Sequence, residues 1–228
     1  METEPKIHDK TIKRFLLDKK NVVSILRAML PKEIQENLDI EKIHYEKDSF
    51  LPKHLKEYYS DLLTSVPTKC GISEVKAYFL FEHKSTFKRF TPLQFLRYIL
   101  EFWDTCLRNL EDNKEKLPVV IPILIAHPDK GWRATKVSDL IDLPSEDFRI
   151  YIPDFDFLIF DAVKDDPENY EFDEAMKAFF TIWKYAHSED FLITVKRVFK
   201  LIKLINPEAR LDEYLKLILH YLEETRGE

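Results

Sequence analysis

Val75-Lys76-Ala77-Tyr78-Phe79-Leu80-Phe81-Glu82-His83-Lys84 is the stretch whose reading decides the fold. In an extended chain Val75, Ala77, Phe79 and Phe81 share one side, and Tyr78 and Leu80 share the other. A strand apolar on both sides belongs inside a sheet covered by helices on both faces. Upstream, Leu62 to Val66 reads as a second strand, and the turn-like segment between the two holds Gly71, one of 3 glycines in the chain. A hairpin that sets Asp61 opposite Glu82 folds back between Gly71 and Ile72. Alternation then places Asp61, Glu82 and Lys84 on one face, where folding alone requires apolar residues.

Two carboxylates and an ammonium buried there cost several kcal/mol per uncompensated ion. A divalent cation compensates them economically. Mg²⁺, with Mn²⁺ as the alternative, takes carboxylate and carbonyl oxygens and keeps waters in its other positions. Its ligands are expected to be Asp61, Glu82 and the backbone carbonyl of His83, with bound water as the nucleophile for a phosphodiester. Lys84 then orients or deprotonates that water, or stabilises charge developing on the phosphate. The His83 side chain faces the other way and reads as a core histidine.

Composition narrows the alternatives. The chain has 228 residues, 45% hydrophobic and 33% charged, enough for one sizeable domain and an appendage. A net charge of -6 argues against a non-specific nucleic-acid coater but leaves room for a local basic groove. Lys10, Lys13, Arg14, Lys84, Lys88 and Arg89 are candidates for such a footprint. Neither a phosphate-binding G-x-x-x-x-G-K-[ST] nor a G-x-G-x-x-G is present, nor a G-x-S-x-G or H-E-x-x-H motif. Cys70 and Cys106 lack metal-ligand spacing and read as reduced thiols. With no apolar run of membrane length and no signal-peptide pattern at Met1-Glu2-Thr3-Glu4-Pro5, the expectation is a cytoplasmic protein with no membrane partner.

Around the hairpin the pattern is helix, three strands, helix, strand. His8 to Leu30 is helical in period, divided near Asp18 and Asn21, both cap-type residues. Lys32 to Leu38 adds a short helix and Ile43 to Lys47 a weak strand. Thr91-Pro92 opens a strong helix reaching about Asn109, with Thr91 as its cap. Its apolar side is expected to be Leu93, Leu96, Leu100, Trp103 and Leu107, opposite a polar stripe of Gln94, Arg97, Glu101, Asp104 and Arg108. Val119 to His127 is a nearly continuous apolar strand, and Phe155 to Phe160 an accessory one. The acidic group Asp154, Asp156, Asp161, Asp165 and Asp166 reads as strand edges and surface loop.

Together, His8 to Leu16, Leu26 to Pro31, Tyr59 to Leu63, Glu82-His83-Lys84-Ser85, Leu96-Arg97-Tyr98 and Val120 to Leu124 resemble the Rpn family of recombination-promoting nucleases, also labelled YhgA-like transposases. The resemblance spans about residues 7–165. It implies an α/β fold with a restriction-endonuclease-like core, of the PD-(D/E)xK superfamily, whose mixed central sheet is flanked by helices. It also implies Mg²⁺-dependent endonuclease activity on DNA, in recombination or in defence against foreign DNA. Asp61 has no preceding proline, unlike the superfamily's name motif, while Lys84 favours retained catalysis over the Gln often found there. Because the corresponding helix in that superfamily often contributes a Gln, Lys or Arg, Gln94 and Arg97 are candidates for positioning phosphate or water. Asp9 divides between a helix cap and a site residue, and Lys13 is a candidate phosphate contact.

Residues 1–168 are thus expected to form the nuclease-like domain and 169–228 a helical region of three helices, Asp173–Ala186, Glu189–Ile205 and Pro207–Thr225. Those helices carry more apolar surface than one stripe each, for example Phe191, Val195, Phe199 and Ile202, then Leu211, Tyr214, Ile218 and Tyr221. A homodimer through them would place two sites on antiparallel DNA strands. The rival reading is a catalytically silent nuclease-fold module that binds DNA or a protein partner.

Overall fold

A computed structural model describes residues 11, 12, 14–46, 62–71, 74–83, 89–109, 116–127, 136–185, 191–205 and 208–226. At 74, 76–83, 191–193, 208–210 and 224–226 it describes the backbone alone. The stretch that opens the sequence argument is β3 (Glu74–His83), the middle strand of a five-stranded mixed sheet in the order β1-β2-β3-β4-β5. The short β1 (His44–Tyr45) pairs antiparallel with β2 (Leu62–Pro67), which pairs antiparallel with β3. On its other side β3 runs parallel to β4 (Val119–His127), which runs parallel to β5 (Leu158–Asp161).

The hairpin is present, in a different register. Leu62 lies opposite Phe79, two residues short of the Phe81 that an Asp61–Glu82 pair requires. The turn explains the shift. The Gly71 N–H donates to the Thr68 carbonyl at 2.9 Å, and Gly71 takes φ +70, the left-handed conformation that glycine adopts without Cβ strain. Folding therefore reverses around Cys70 and Gly71. A shift of two keeps every residue on the face it would otherwise occupy, whereas a shift of one would exchange the faces.

Parallel neighbours need a crossover, and between β3 and β4 a long helix supplies it: Thr91–Arg108. Numbering helices in chain order, α1 is Lys19–Met29, α2 Lys32–Gln35, α3 this crossover, α4 Glu174–Tyr185, α5 Phe191–Ile202 and α6 Glu208–Arg226. Residues 11–12 and 14–16 are also helical. Ile123, Leu124, Ile125 and Ala126 of β4 are completely buried, so both faces of the sheet are covered. One layer is α3, where Phe95, Tyr98 and Phe102 pack on Leu63, Leu124 and Ala126. On the other face Val66, Ile123, Ile125 and Phe160 join one large cluster with Leu26 of α1, Phe179 and Trp183 of α4, Val198 of α5 and Tyr214 and Tyr221 of α6. Pro122, which cannot donate a ladder hydrogen bond, stands just before Ile123, where pairing with β5 begins.

Two local expectations change. The cap position of α3 is Phe90, with no side-chain cap bond; Thr91 is already helical and buried, with Pro92 after it. The buried side of α3 is Thr91, Pro92, Phe95, Tyr98, Ile99 and Phe102, while Leu93, Leu100 and Leu107 are 40, 53 and 54% exposed. The helix carries two apolar stripes, and the sheet takes the one with three aromatic rings, which bury more area per residue.

Asp18 does divide the first helical stretch, accepting from the Lys20 N–H at 2.9 Å as the α1 cap. Asn21 is no cap. It is fully buried and donates to the Phe15 carbonyl and the Tyr214 hydroxyl, which in turn donates to Asp18 at 2.7 Å. This chain of hydrogen bonds ties α6 to the entry of α1. Among the described residues no helix is long and apolar enough to cross a membrane.

Two predictions follow from buried hydroxyls. Tyr214→Phe removes both bonds of that hydroxyl and should lower unfolding free energy by about 1–3 kcal/mol, read from a urea midpoint at unchanged slope. Tyr45, whose hydroxyl donates to the Leu16 carbonyl at 2.6 Å, is pushed up to about 12 by burial and then by the charge of Asp18. Burial and then Asp165 push Tyr170 up to about 12 as well. Both phenols are held neutral above their ordinary value of about 10. The stability this confers is therefore complete below pH ~10 and is lost as pH rises toward about 12. Tyr45→Phe should flatten the pH dependence of unfolding free energy across that window.

Candidate active site at the ends of the parallel strands

In open α/β sheets the carboxyl ends of parallel strands are where sites collect. Here that edge is the end of β3, β4 and β5. Glu82 pairs in register with Ala126, and Ala126 with Asp161. His83 pairs with His127. Ala126 packs in the α3 layer, and His127 stacks on Trp183 of α4 with ring centroids 5.3 Å apart. The register position of Glu82 thus belongs to the α3 side of the sheet and that of His83 to the opposite side.

α3 brings polar groups into that layer, Gln94 among them. The Nε2 of Gln94 is buried and has no hydrogen-bond partner among the described residues. An unpaired buried amide costs about 1–3 kcal/mol, so its position needs a reason beyond folding. Arg97 does not accompany it. Its side chain is 65% exposed and pairs with Glu101 at 2.8 Å. Tyr98, 3% exposed, lies one turn beyond Gln94 in the buried layer; an i, i+4 polar pair bordering aromatic residues is the signal that points to it. Asp61, Lys84, Asp9 and Lys13 lie outside the described residues, as do Lys10 and Lys88. Arg14 and Arg89 are exposed.

The acidic residues near β5 are occupied locally. Asp161 accepts from the N–H groups of Val163 and Lys164 at 3.0 and 3.2 Å, and Asp165 accepts from the Asp161 N–H at 2.7 Å. Asp166 caps the short turn at Pro167–Asn169. Asp154 accepts from both the N–H and the hydroxyl of Ser138. Burial raises the Asp154 pKa, and those bonds with Lys136 and Arg149 outweigh it, for a net lowering. No three His, Cys, Asp or Glu side chains among the described residues are grouped to hold a metal ion. A cavity of about 520 Å³ lined by Lys19, Lys20, Arg27 and Phe172 lies between α1 and the segment leading into α4, on the far side of the sheet from the α3 layer.

Comparison with known proteins places the chain in a family. A family model described as "Putative transposase, YhgA-like" matches residues 6–212. The chain belongs to that family. It is similar to Recombination-promoting nuclease RpnD of Escherichia coli O157:H7, 25% identical over 225 residues, which cover 97% of this chain and 82% of RpnD. Recombination-promoting nuclease RpnA of Escherichia coli strain K12 is 32% identical over 120 residues, 53% of this chain and 39% of RpnA. Over an equal length, the protein named Inactive recombination-promoting nuclease-like protein RpnE of the same strain is 28% identical, covering 38% of its own length. No solved structure matches.

The unpaired amide gives Gln94 a test independent of any substrate. If its buried amide serves a site and not the fold, removing it should stabilise the protein. Gln94→Met should raise unfolding free energy by about 1 kcal/mol in chemical denaturation. A loss of stability would assign the amide a structural partner.

Proposed function

We propose that this chain is a metal-dependent DNA endonuclease with a restriction-endonuclease-like core, in which Asp61, Glu82 and Lys84 carry the chemistry. The observation that supports this best is the register of Glu82 with Ala126, on the sheet face where the unpaired Gln94 amide is buried. The names of RpnD and RpnA support the nuclease class. Residues 1–168 form the catalytic unit in this reading, and 169–228 cover the opposite face of its sheet. The setting is the cytoplasm.

The donor set fits a hard cation. Glu82, Asp61 and the His83 carbonyl offer only oxygen, which suits Mg²⁺ or Mn²⁺ and not a thiolate-seeking metal. When bound, such an ion neutralises phosphate charge and acidifies coordinated water. The chain supplies the rest. Asp61 and Glu82 hold carboxylates at the mouth of the sheet, and Lys84 presents an ammonium to the water and the scissile phosphate. Gln94 donates its free N–H toward the same space, fixing the orientation of whichever oxygen it meets.

A purified chain should nick plasmid DNA with Mg²⁺ or Mn²⁺ and not with EDTA. Glu82→Ala should abolish both nicking and calorimetric Mn²⁺ binding. Lys84→Ala should reduce turnover by about 10²–10⁴ while leaving metal binding intact, since the lysine is no ligand. Metal-independent nicking, or activity surviving Glu82→Ala, overturns the assignment. Matched DNA and RNA strands in the same assay decide the substrate. A silent nucleic-acid or protein-binding module is the second reading, favoured by the relative named as inactive. Intact DNA binding without metal binding or turnover would select it.

A further inference from the structure

Leu93, Leu96, Leu100, Trp103 and Leu107 of α3 recur at alternating steps of three and four, the 3.5-residue average of a coiled-coil seam. The sheet layer takes only one edge of this stripe, where Trp103 packs against its core. At about 100° per residue its centre lies roughly 150° around the helix from the buried Phe95, Tyr98 and Phe102. Three leucines one heptad apart therefore stay 40, 53 and 54% exposed along an 18-residue helix. The Trp103 Nε1 donates to the Pro118 carbonyl at 2.9 Å, which fixes the indole at the border of the stripe.

We infer that α3 pairs with α3 of a second copy of this chain, antiparallel, about a two-fold axis at Leu100. With the axis at Leu100, Leu100 lies level with the partner's Leu100 and Leu93 with the partner's Leu107, while Leu96 and the partner's Trp103 are offset by one residue rise of about 1.5 Å. Charge selects the direction. Arg97 and Asp104 are the two flanking residues on the solvent side of the seam, at e positions, and antiparallel helices bring e against e, so Arg97 meets the partner's Asp104. The opposite flank is Ile99 and Cys106, so a parallel pair would set both charges against uncharged residues. Within one copy Arg97 pairs with Glu101 and Asp104 with Arg108, exposed bonds whose exchange costs little.

The C-terminal helices, the dimer surface expected from sequence, offer less. Val198, Ile202, Tyr214, Leu217, Ile218 and Tyr221 are buried in the core of the chain itself. The stripe is five side chains on one helix, a small seam beside a standard interface of roughly 800 Å² per partner, so the pair is a reversible one. This inference does not depend on the nuclease reading.

Sedimentation velocity of the full chain from about 1 to about 200 μM should show a monomer–dimer equilibrium. Leu100→Glu should leave a monomer with an unchanged melting curve. Arg97→Asp and Asp104→Arg should each weaken the dimer by about 10-fold, and the double exchange should restore it. With Cys70 and Cys106 replaced by serine, Leu100→Cys should oxidise to a covalent dimer, while Leu93→Cys should do so only when mixed with Leu107→Cys. A monomer throughout, a dimer that survives Leu100→Glu, or charge exchanges that fail to rescue each other overturns the proposal.

Discussion

The structure turns on one constraint: over Ile123 to Ala126, β4 has no side that water can reach. Ile123 through Ala126 are completely buried, alternate residues pointing into opposite layers. Each buried Ile or Leu contributes about 1.5–3 kcal/mol, but only if both faces are roofed. α3 alone can roof one. The other roof is assembled from both ends of the sequence, α1 from the beginning and α4 to α6 from the end. The C-terminal helices are therefore part of how this sheet is buried, and their large apolar surface is accounted for mostly within the chain.

A roof made from distant segments needs something directional to hold it in place, because apolar contact alone has no preferred register. The Asn21–Tyr214–Asp18 chain has that property. Its Asn21 and Tyr214 are buried and do not trade partners for water, and it closes only when α6 sits at the junction preceding α1. Tyr45 does the same for the sheet edge by donating to the Leu16 carbonyl.

How far the sequence discloses this arrangement depends on how many physical solutions a pattern allows. A run such as Val119–His127, apolar at every position before the final histidine, has one solution, a buried strand, and its bounds are those observed. β3 as the middle strand follows from the same reasoning. The hairpin was legible, but its register was not, because the reversal is decided by a single left-handed residue, Gly71, within a stretch holding several turn-formers. α3 misleads for another reason: its apolar residues form two stripes, and the pattern cannot say which one meets a sheet that prefers aromatic rings. Of the candidate site, the register of Glu82 with Ala126 and the buried amide of Gln94 are visible, and Arg97 is exposed. Asp61 and Lys84 lie outside the described residues.

The two unexplained features of α3 lie on different sides of the helix and separate two kinds of cost. A buried amide without a partner is an enthalpic debt inside the fold, tolerated where a site needs a pre-aimed donor. An exposed row of leucines at heptad spacing is a hydration cost outside the fold, tolerated where another helix covers it. Folding explains neither, because a fold optimised for itself would place methionine at 94 and charge at 100. Gln94 on the sheet side and Leu100 on the outer side give this one helix three faces: core, site and seam. If the seam forms, the two-fold at Leu100 fixes the distance and orientation between two copies of the Glu82 edge, since α3 is rigidly packed on the strand layer that carries it. The geometry of any paired cleavage would then be set by a helix, with the C-terminal extension left to its role as roof.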